Sequence, residues 1–250
     1  METAFVYRSR KKYHMTEAAG PSVEGAREWA ERLGWSYGLI APDPVERGAA
    51  LARLDAARAE AQAARARYNE AWLRASGAGS EDWHQEPSVV AARQLYDEAA
   101  SRCLPEALWH APHYDDIILS PELPFDLLFL EWEARFPQEW TQHAKAWGTK
   151  QVLIRGMARC GHSDETVKAK LLDLVEVVVQ RAYRCKDREY VRVARAVDGD
   201  DLRTRLNRAH HSENPWAQLH AGYVLWLLDR PELPNTRRVW RTWLADPRTR

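Results

Sequence analysis

The sequence has no long apolar run. None of its 250 residues belongs to a stretch that approaches the roughly 18 consecutive apolar side chains needed to cross a bilayer. The first residues, Met-Glu-Thr-Ala-Phe-Val-Tyr-Arg, also lack the basic and then apolar order of a secretory signal peptide. We therefore expect a cytoplasmic protein with no membrane partner.

Motifs of the common catalytic classes are also missing. There is no Gly-x-Ser-x-Gly nucleophile elbow, no His-Glu-x-x-His zinc motif, and no Walker motif or Gly-rich fingerprint. The three cysteines, Cys103, Cys160 and Cys185, are an odd number without framework spacing, which favours reduced thiols over a disulfide scaffold. No residue is assigned a catalytic role, and no cofactor is expected.

What the sequence does have is a globular composition with unevenly distributed charge. Hydrophobic residues make up 45% of the chain and charged residues 29%, with a formal net charge of zero. Residues 1–147 carry 16 Lys and Arg against 23 Asp and Glu, whereas residues 148–250 carry 20 against 13. Such halves can dock against each other, or the basic half can meet an anionic partner such as nucleic acid.

The clearest pattern is a train of amphipathic helices between residues 163 and 244. Apolar side chains recur at three- and four-residue spacing, and each helix opens with a small polar residue that can cap free backbone N–H groups. The predicted helix starts are Ser163, Asp187, Asp200, Asn214 and Asn235. Because the first of these helices is apolar over more than half its circumference, we expect it to be central.

Residues 200–229 contain two of these helices, joined by a polar turn that ends in Asn214-Pro215. This pair resembles one unit of a HEAT-like helical repeat. The resemblance implies two antiparallel helices and a concave surface for a macromolecular partner. An ordinary helical bundle is the alternative, since no clean period continues into the neighbouring residues.

The N-terminal half reads differently. Two short apolar stretches at residues 4–7 and 35–40 flank an amphipathic helix at residues 23–33 that Gly34 stops, and residues 117–119 offer a third strand. A long helix from Asp43-Pro44 to Ser76 is followed by residues 87–103, which predicts a helical hairpin. The expected fold is mostly α-helical, with a small N-terminal α/β layer of two or three strands. Residues 1–147 and 148–250 form two domains or one continuous domain.

Aromatic residues mark a candidate partner-binding surface. The chain has 12 tryptophans, and the last two predicted helices carry a wide aromatic stripe: Trp216, Tyr223, Trp226, Trp240 and Trp243. Such rings mostly form core, but those left at a surface mark partner sites because tryptophan is enriched in binding hot spots.

A basic run is the first candidate site for a small ligand. Arg8, Arg10, Lys11 and Lys12 lie in the loop that follows the first predicted strand. Ligands of parallel sheets tend to sit beyond the carboxyl ends of strands, and these side chains could hold a phosphate group. A solvated basic loop is the alternative.

The second candidate site is a cluster of side chains of the types that bind metal ions. Two imidazoles and two carboxylates fall close together: His110, His113, Asp115 and Asp116. They have the chemistry of a zinc or iron site, although Pro112 between the histidines requires a loop geometry. Histidines that cap backbone groups are the alternative.

Three functions follow from these patterns. The first is a cytoplasmic interaction or regulatory protein that binds another protein through its C-terminal helices. The second is an enzyme or small-molecule binder that uses residues 8–14 and 110–116. The third is a nucleic-acid-binding protein that uses the basic C-terminal half.

Overall fold

The described part of the chain is all-helical. The computed structural model describes residues 23–77, 82–110, 120–160 and 164–246, and these ranges contain helices and no strand. Their α-helices are α1 (Val23–Leu33), α2 (Pro44–Gly77), α3 (Pro87–Ser101), α4 (Leu123–Arg135), α5 (Pro137–His143), α6 (Trp147–Cys160), α7 (Glu165–Val179), α8 (Tyr190–Ala196), α9 (Asp200–His210), α10 (Pro215–Leu228) and α11 (Arg237–Ala245). Short 3-10 segments span Gly34–Ile40, Trp83–Gln85, Glu106–His110 and Asp187–Glu189.

The predicted N-terminal α/β layer is wrong. Helix α1 has its predicted bounds, but the strand expected at residues 35–40 is part of the 3-10 segment Gly34–Ile40. Leu33, Ser36 and Leu39 are buried at three-residue spacing, and the Ser36 hydroxyl donates to the Leu33 carbonyl. The other two predicted strands, at residues 4–7 and 117–119, lie outside the described residues.

A close approach of α2 fixes the shape of this 3-10 segment. A Cβ atom on Gly38 would lie 2.8 Å from the Cβ of Ala50, so only glycine lets the backbone pass this close to α2. The segment also packs against α4. It therefore joins α1 and α2 to the main core without any sheet.

Helices α2 and α3 form the predicted hairpin. They run antiparallel, because Tyr68 stacks on Tyr96 at 6.4 Å while Trp72 meets Trp83 near the turn at 5.7 Å. Its inner face is a small separate core of Ala61, Ala64, Ala99 and Cys103. These small side chains let the two helices approach closely.

The main core surrounds α4, α6 and α7. Phe129, Trp132 and Trp140 are fully buried, and Phe129 lies edge-on to both indoles. Helix α7 is buried on two faces, as expected of a central helix, and contacts α4, α8, α9 and α10. One cluster of buried apolar side chains extends from Leu33 to Trp243, and the division of the chain near residue 147 stays a prediction.

The start of α4 buries two carboxyl groups. Glu122 and Asp126 are 2% and 0% exposed, and neither carboxylate oxygen of Asp126 has a hydrogen-bond partner in the described part of the chain. Burial raises the pKa of Asp126 well above its ordinary value of 3.8, and the nearby charge of Glu122 raises it further. Asp126 therefore holds its proton at pH values where an exposed aspartate has lost it.

The C-terminal helices follow the predicted train, with some different starts. Asp164 caps α7 one residue after the predicted Ser163, Asn214 caps α10 as predicted, and Thr236 caps α11 one residue after the predicted Asn235. Asp200 is the first residue of α9 and not its cap, since Gly199 takes that position. Asp187 is not a cap: it is buried and belongs to the ion cluster described below. Helices α5 and α6 were not predicted.

Helices α9 and α10 are an antiparallel pair. Arg203 near the start of α9 pairs with Asp229 at the end of α10 at 2.7 Å, and His210 bonds the Gln218 carbonyl at 2.8 Å at the opposite end. Gly222 makes room for this packing, since a Cβ atom there would lie 2.9 Å from the His210 ring. The HEAT-like resemblance of this pair stays a prediction.

Replacing Asn214 by alanine is expected to lower the free energy of unfolding by about 1–2 kcal/mol. The Asn214 side chain accepts from the Trp216 amide at 3.0 Å and donates to the Gln180 carbonyl at 2.6 Å, so one change removes a cap and a link to the end of α7. Urea titration measures the loss. Asn207→Ala is the control, because that amide bonds only the carbonyl of its own helix, and an equal cost in the two variants would contradict the prediction.

Candidate functional site: an apolar groove beside a buried ion cluster

A groove of about 500 Å³ opens among the C-terminal helices. It lies between α7, the segment after it, α8, α10 and the start of α11. Its floor is formed mainly by buried valines, among them Val175, Val178 and Val191. The volume falls in the usual range of ligand sites, about 300–1,000 Å³.

One wall of the groove is aromatic. Trp216, His220 and Tyr223 lie on one side of α10, and Trp240 on α11 faces them. The His220 ring lies between the two indoles, 5.9 Å from Trp216 and 6.3 Å from Trp240, while Tyr223 meets Trp240 edge-on at 4.6 Å. These four side chains form a continuous aromatic surface.

The predicted partner-binding residues divide into two groups. Trp216, Tyr223 and Trp240 line the groove, as the hypothesis requires of a binding surface. Trp226 and Trp243 do not line it. Trp243 is 3% exposed and supports Tyr223 from behind at 5.1 Å, and Trp226 stacks on the same ring at 6.1 Å.

The mouth of the groove exposes two large aromatic side chains. Trp216 is 46% exposed and Tyr183 is 56% exposed, and both line the groove. Other strongly exposed apolar side chains in the described residues lie on other elements, for example Leu73 on α2 and Leu95 on α3. The apolar surface of the groove therefore continues outward past the cavity itself.

His220 is the titratable group of the aromatic wall. Burial lowers its pKa below the ordinary 6.5, while hydrogen bonds to the backbone of Val179 and Arg181 act in the opposite direction. The imidazole is therefore neutral near pH 7 and behaves as a flat, mostly apolar ring. A neutral ring suits an apolar wall better than an imidazolium would.

Polar groups close one end of the groove. The Tyr223 hydroxyl donates to Asn235 Oδ1 at 3.0 Å, and Asn235 Nδ2 donates to the Arg188 carbonyl at 2.6 Å. Burial raises the pKa of Tyr223 to about 12, with the charge of Arg195 opposing, so the phenol remains a donor. These bonds fasten the start of α11 to the segment that carries Arg188.

A buried ion cluster lies behind the groove. Glu133 on α4 is fully buried and accepts from Lys150 at 2.9 Å, from Arg181 at 2.9 Å and from Arg184 at 3.0 Å. Asp187 accepts from Lys150 at 2.5 Å, from Arg181 at 3.0 Å and from the Arg184 amide at 2.8 Å. Lys150 is fully buried as well.

The cluster carries one net positive charge, because it contains three bases and two acids. Buried charges are tolerated only when they are paired and hydrogen-bonded, and both carboxylates here meet that condition. Asp187 belongs to the cluster and also to the groove lining. The cluster thus fixes the position of one groove wall and leaves a formal surplus of one positive charge behind it.

Two neighbours of the cluster add to this arrangement. Tyr190 lines the groove and is 4% exposed, and its hydroxyl has no hydrogen-bond partner in the described part of the chain. Glu189 is buried, which alone would raise its pKa, but hydrogen bonds from Arg155, Gln151 and Arg192 lower it to about 2. Glu189 is therefore ionised at every physiological pH.

Sequence reasoning missed the ion cluster. Its members come from α4, α6 and the segment after α7, so they are far apart in the sequence and no residue spacing indicates that they meet. The signal that could have been used is Glu133 itself, a carboxylate on an inward face of an apolar helix. A buried charge at such a position requires a partner from elsewhere in the chain.

The residues of the two candidate small-ligand sites fall mostly outside the described part of the chain. Arg8, Arg10, Lys11, Lys12, His113, Asp115 and Asp116 lie outside the described residues, and so does the side chain of His110. Within the described ranges, no group of three or more His, Cys, Asp or Glu side chains could hold a metal ion. The same ranges contain no helix that is both long and apolar enough to span a membrane.

Comparison with known proteins adds no relative. No protein family, curated protein or solved structure matches the chain.

Proposed function

We propose that the protein is an interaction protein whose C-terminal helices bind a short apolar segment of a partner protein. The groove between α7, α10 and α11 is the binding site. The observation that carries the proposal is the aromatic wall, in which Trp216, Tyr223 and Trp240 line one cavity. Aromatic side chains at the centre of a contact commonly supply most of the binding energy.

The surroundings of the groove favour a partner chain over a small molecule. Tyr183 and Trp216 extend apolar surface beyond the cavity, where a small ligand would leave them in water. A peptide can insert a few apolar side chains into the cavity and cover both rings with the residues that flank them. It would bury both surfaces at once.

Binding to nucleic acid through the basic half receives less support. Several arginines of residues 148–250 are already engaged within the protein, where they pair with carboxylates or bond carbonyl groups: Arg155, Arg181, Arg184, Arg195, Arg203 and Arg205. A phosphate backbone is bound by basic side chains that remain available to it.

Replacing Trp216 by alanine is expected to weaken peptide binding about tenfold or more, equivalent to about 1.4 kcal/mol. The peptides are first selected from a displayed library of random sequences of about a dozen residues on the full-length chain. The affinity of the enriched sequences is then measured by isothermal titration calorimetry. Leu219→Trp, which fills the groove, is expected to block the same peptides.

Trp109→Ala is the matched control for Trp216→Ala. Trp109 is 48% exposed, close to the 46% of Trp216, but it contacts Thr149 and does not line the groove. It should leave the affinity unchanged. If no sequence is enriched, or if the enriched peptides bind equally well to the Trp216→Ala variant, the proposed function is wrong.

A further inference from the structure

The polar end of the groove is basic. Arg188 lies in the segment between α7 and α8, and Arg237 is the first residue of α11; both line the groove and both are exposed. Neither guanidinium has an ion-pair partner among the described residues. The hydrogen bond from Asn235 to the Arg188 carbonyl joins their two segments, so both charges belong to the same end of the groove.

Two further features make this end positive. Helix α11 begins here, and the free N–H groups of a helix start carry a partial positive charge. Thr236 caps one of them through the Val239 amide, and the helix start remains part of the groove lining. The ion cluster behind the wall adds its own net positive charge.

No acidic side chain in the described groove lining is available to balance these charges. Asp187 is the carboxylate of that lining, and Lys150, Arg181 and the Arg184 amide already occupy its oxygens. Two exposed guanidinium groups beside an apolar cavity are complementary to an occupant that is apolar in its middle and acidic at one end. Arginine is also well suited to bidentate bonds with carboxylates.

We infer that the segment bound in the groove is an acidic apolar peptide, whose hydrophobic side chains fill the cavity while aspartate or glutamate residues beside them pair with Arg188 and Arg237. This inference rests on the proposed function and defines its partner. The charges of Arg188 and Arg237 discriminate between apolar segments, and the aromatic wall contributes binding energy to all of them. Basic apolar segments are rejected because they would place like charges at the same end.

The test uses the full-length chain and the same displayed library of random peptides. The wild-type chain should enrich sequences in which acidic residues flank apolar ones. The double variant Arg188→Glu, Arg237→Glu should bind these peptides about tenfold more weakly, and the loss should shrink at high salt because rim charges are screened. The same variant should now prefer synthetic peptides in which lysine replaces each acidic residue.

Arg67→Glu, Arg208→Glu is the matched control, since both arginines are exposed on α2 and α9 and neither lines the groove. It changes the net charge by the same amount and should leave the preference for acidic peptides intact. If the control lowers affinity as much as the groove variant, general attraction explains the binding and the inference fails.

The outcomes separate this inference from the proposed function. Enriched peptides that depend on Trp216 but show no excess of acidic residues, and that bind the charge-reversed variant equally well, would overturn the inference and leave the function standing. Failure to enrich any peptide would overturn both. If 8-anilinonaphthalene-1-sulfonate binds with the same dependence on Arg188 and Arg237 but no peptide does, the occupant is a small organic anion and the peptide assignment is wrong.

Discussion

Replacing Glu133 by alanine is expected to lower the free energy of unfolding by about 3–5 kcal/mol. The carboxylate is fully buried and binds Lys150, Arg181 and Arg184, so its removal leaves three bases with Asp187 alone. Uncompensated positive charge would then remain in the core behind the groove. Urea unfolding monitored by circular dichroism measures the cost.

Two other variants sharpen this prediction. Lys150→Met should lower the free energy of unfolding less than Glu133→Ala does, because it leaves two carboxylates paired with two arginines. Glu131→Ala should lower the free energy of unfolding less than Glu133→Ala does: Glu131 is also buried on the same helix, but its partners Arg135 and Lys170 have side chains that are 46% and 47% exposed, so their charges stay in contact with water when the carboxylate is removed. If the two alanine variants lost the same free energy of unfolding, the buried ion pairs of Glu133 would contribute no more to stability than the pairs of Glu131, and the prediction would be wrong.

Replacing Asp126 by asparagine is expected to stabilise the protein near neutral pH and to leave it unchanged in acid. The folded-state pKa of Asp126 is raised above 3.8, so the folded state holds a proton that the unfolded state releases. The wild-type contribution of this group is fully present below pH 3.8 and is lost as the pH rises towards the folded-state pKa. Asparagine cannot ionise and escapes this loss.

The measurement is the difference in unfolding free energy between Asp126→Asn and the wild type at several pH values. It should grow with pH by up to about 1.4 kcal/mol per unit and then become constant above the folded-state pKa. In a Glu122→Gln variant the pKa of Asp126 should be raised less, because the Glu122 charge contributes to the shift. The pH range over which the ionisation of Asp126 lowers stability should therefore be narrower than in the wild type. A difference that does not vary with pH would contradict the prediction.

The helices that the sequence predicts well are those whose local signals agree with their packing. Helix α7 combines apolar residues at helical spacing with a polar start, where Asp164 caps the helix one residue after the predicted Ser163. Helix α10 starts at Asn214-Pro215, where a capping side chain precedes a proline at the first helical position. In both cases, cap and apolar stripe specify the same helix. The bounds of α1 were predicted from its amphipathic pattern and from Gly34, which follows its last residue.

The errors arise where tertiary contacts decide. Residues 35–40 have the composition of a strand, but they form a 3-10 segment in which Ser36 and Leu39 are buried three residues apart and Gly38 packs directly on Ala50. In the candidate site, the aromatic stripe was visible in the sequence, yet spacing alone could not separate Trp216 and Trp240, which line the groove, from Trp243, which supports it. The ion cluster was invisible because its residues meet only in the folded chain.

The placement of tryptophan gives the molecule an intrinsic optical reporter. Trp216 and Trp240 line the groove, whereas Trp132 and Trp140 are sealed in the core with no exposed surface. Indoles that water reaches emit at longer wavelength and are quenched by solutes such as acrylamide, while sealed indoles are shielded from both effects. An occupant of the groove would shift and protect Trp216 and Trp240, whereas the sealed Trp132 and Trp140, and exposed indoles outside the groove such as Trp109, would keep their signals.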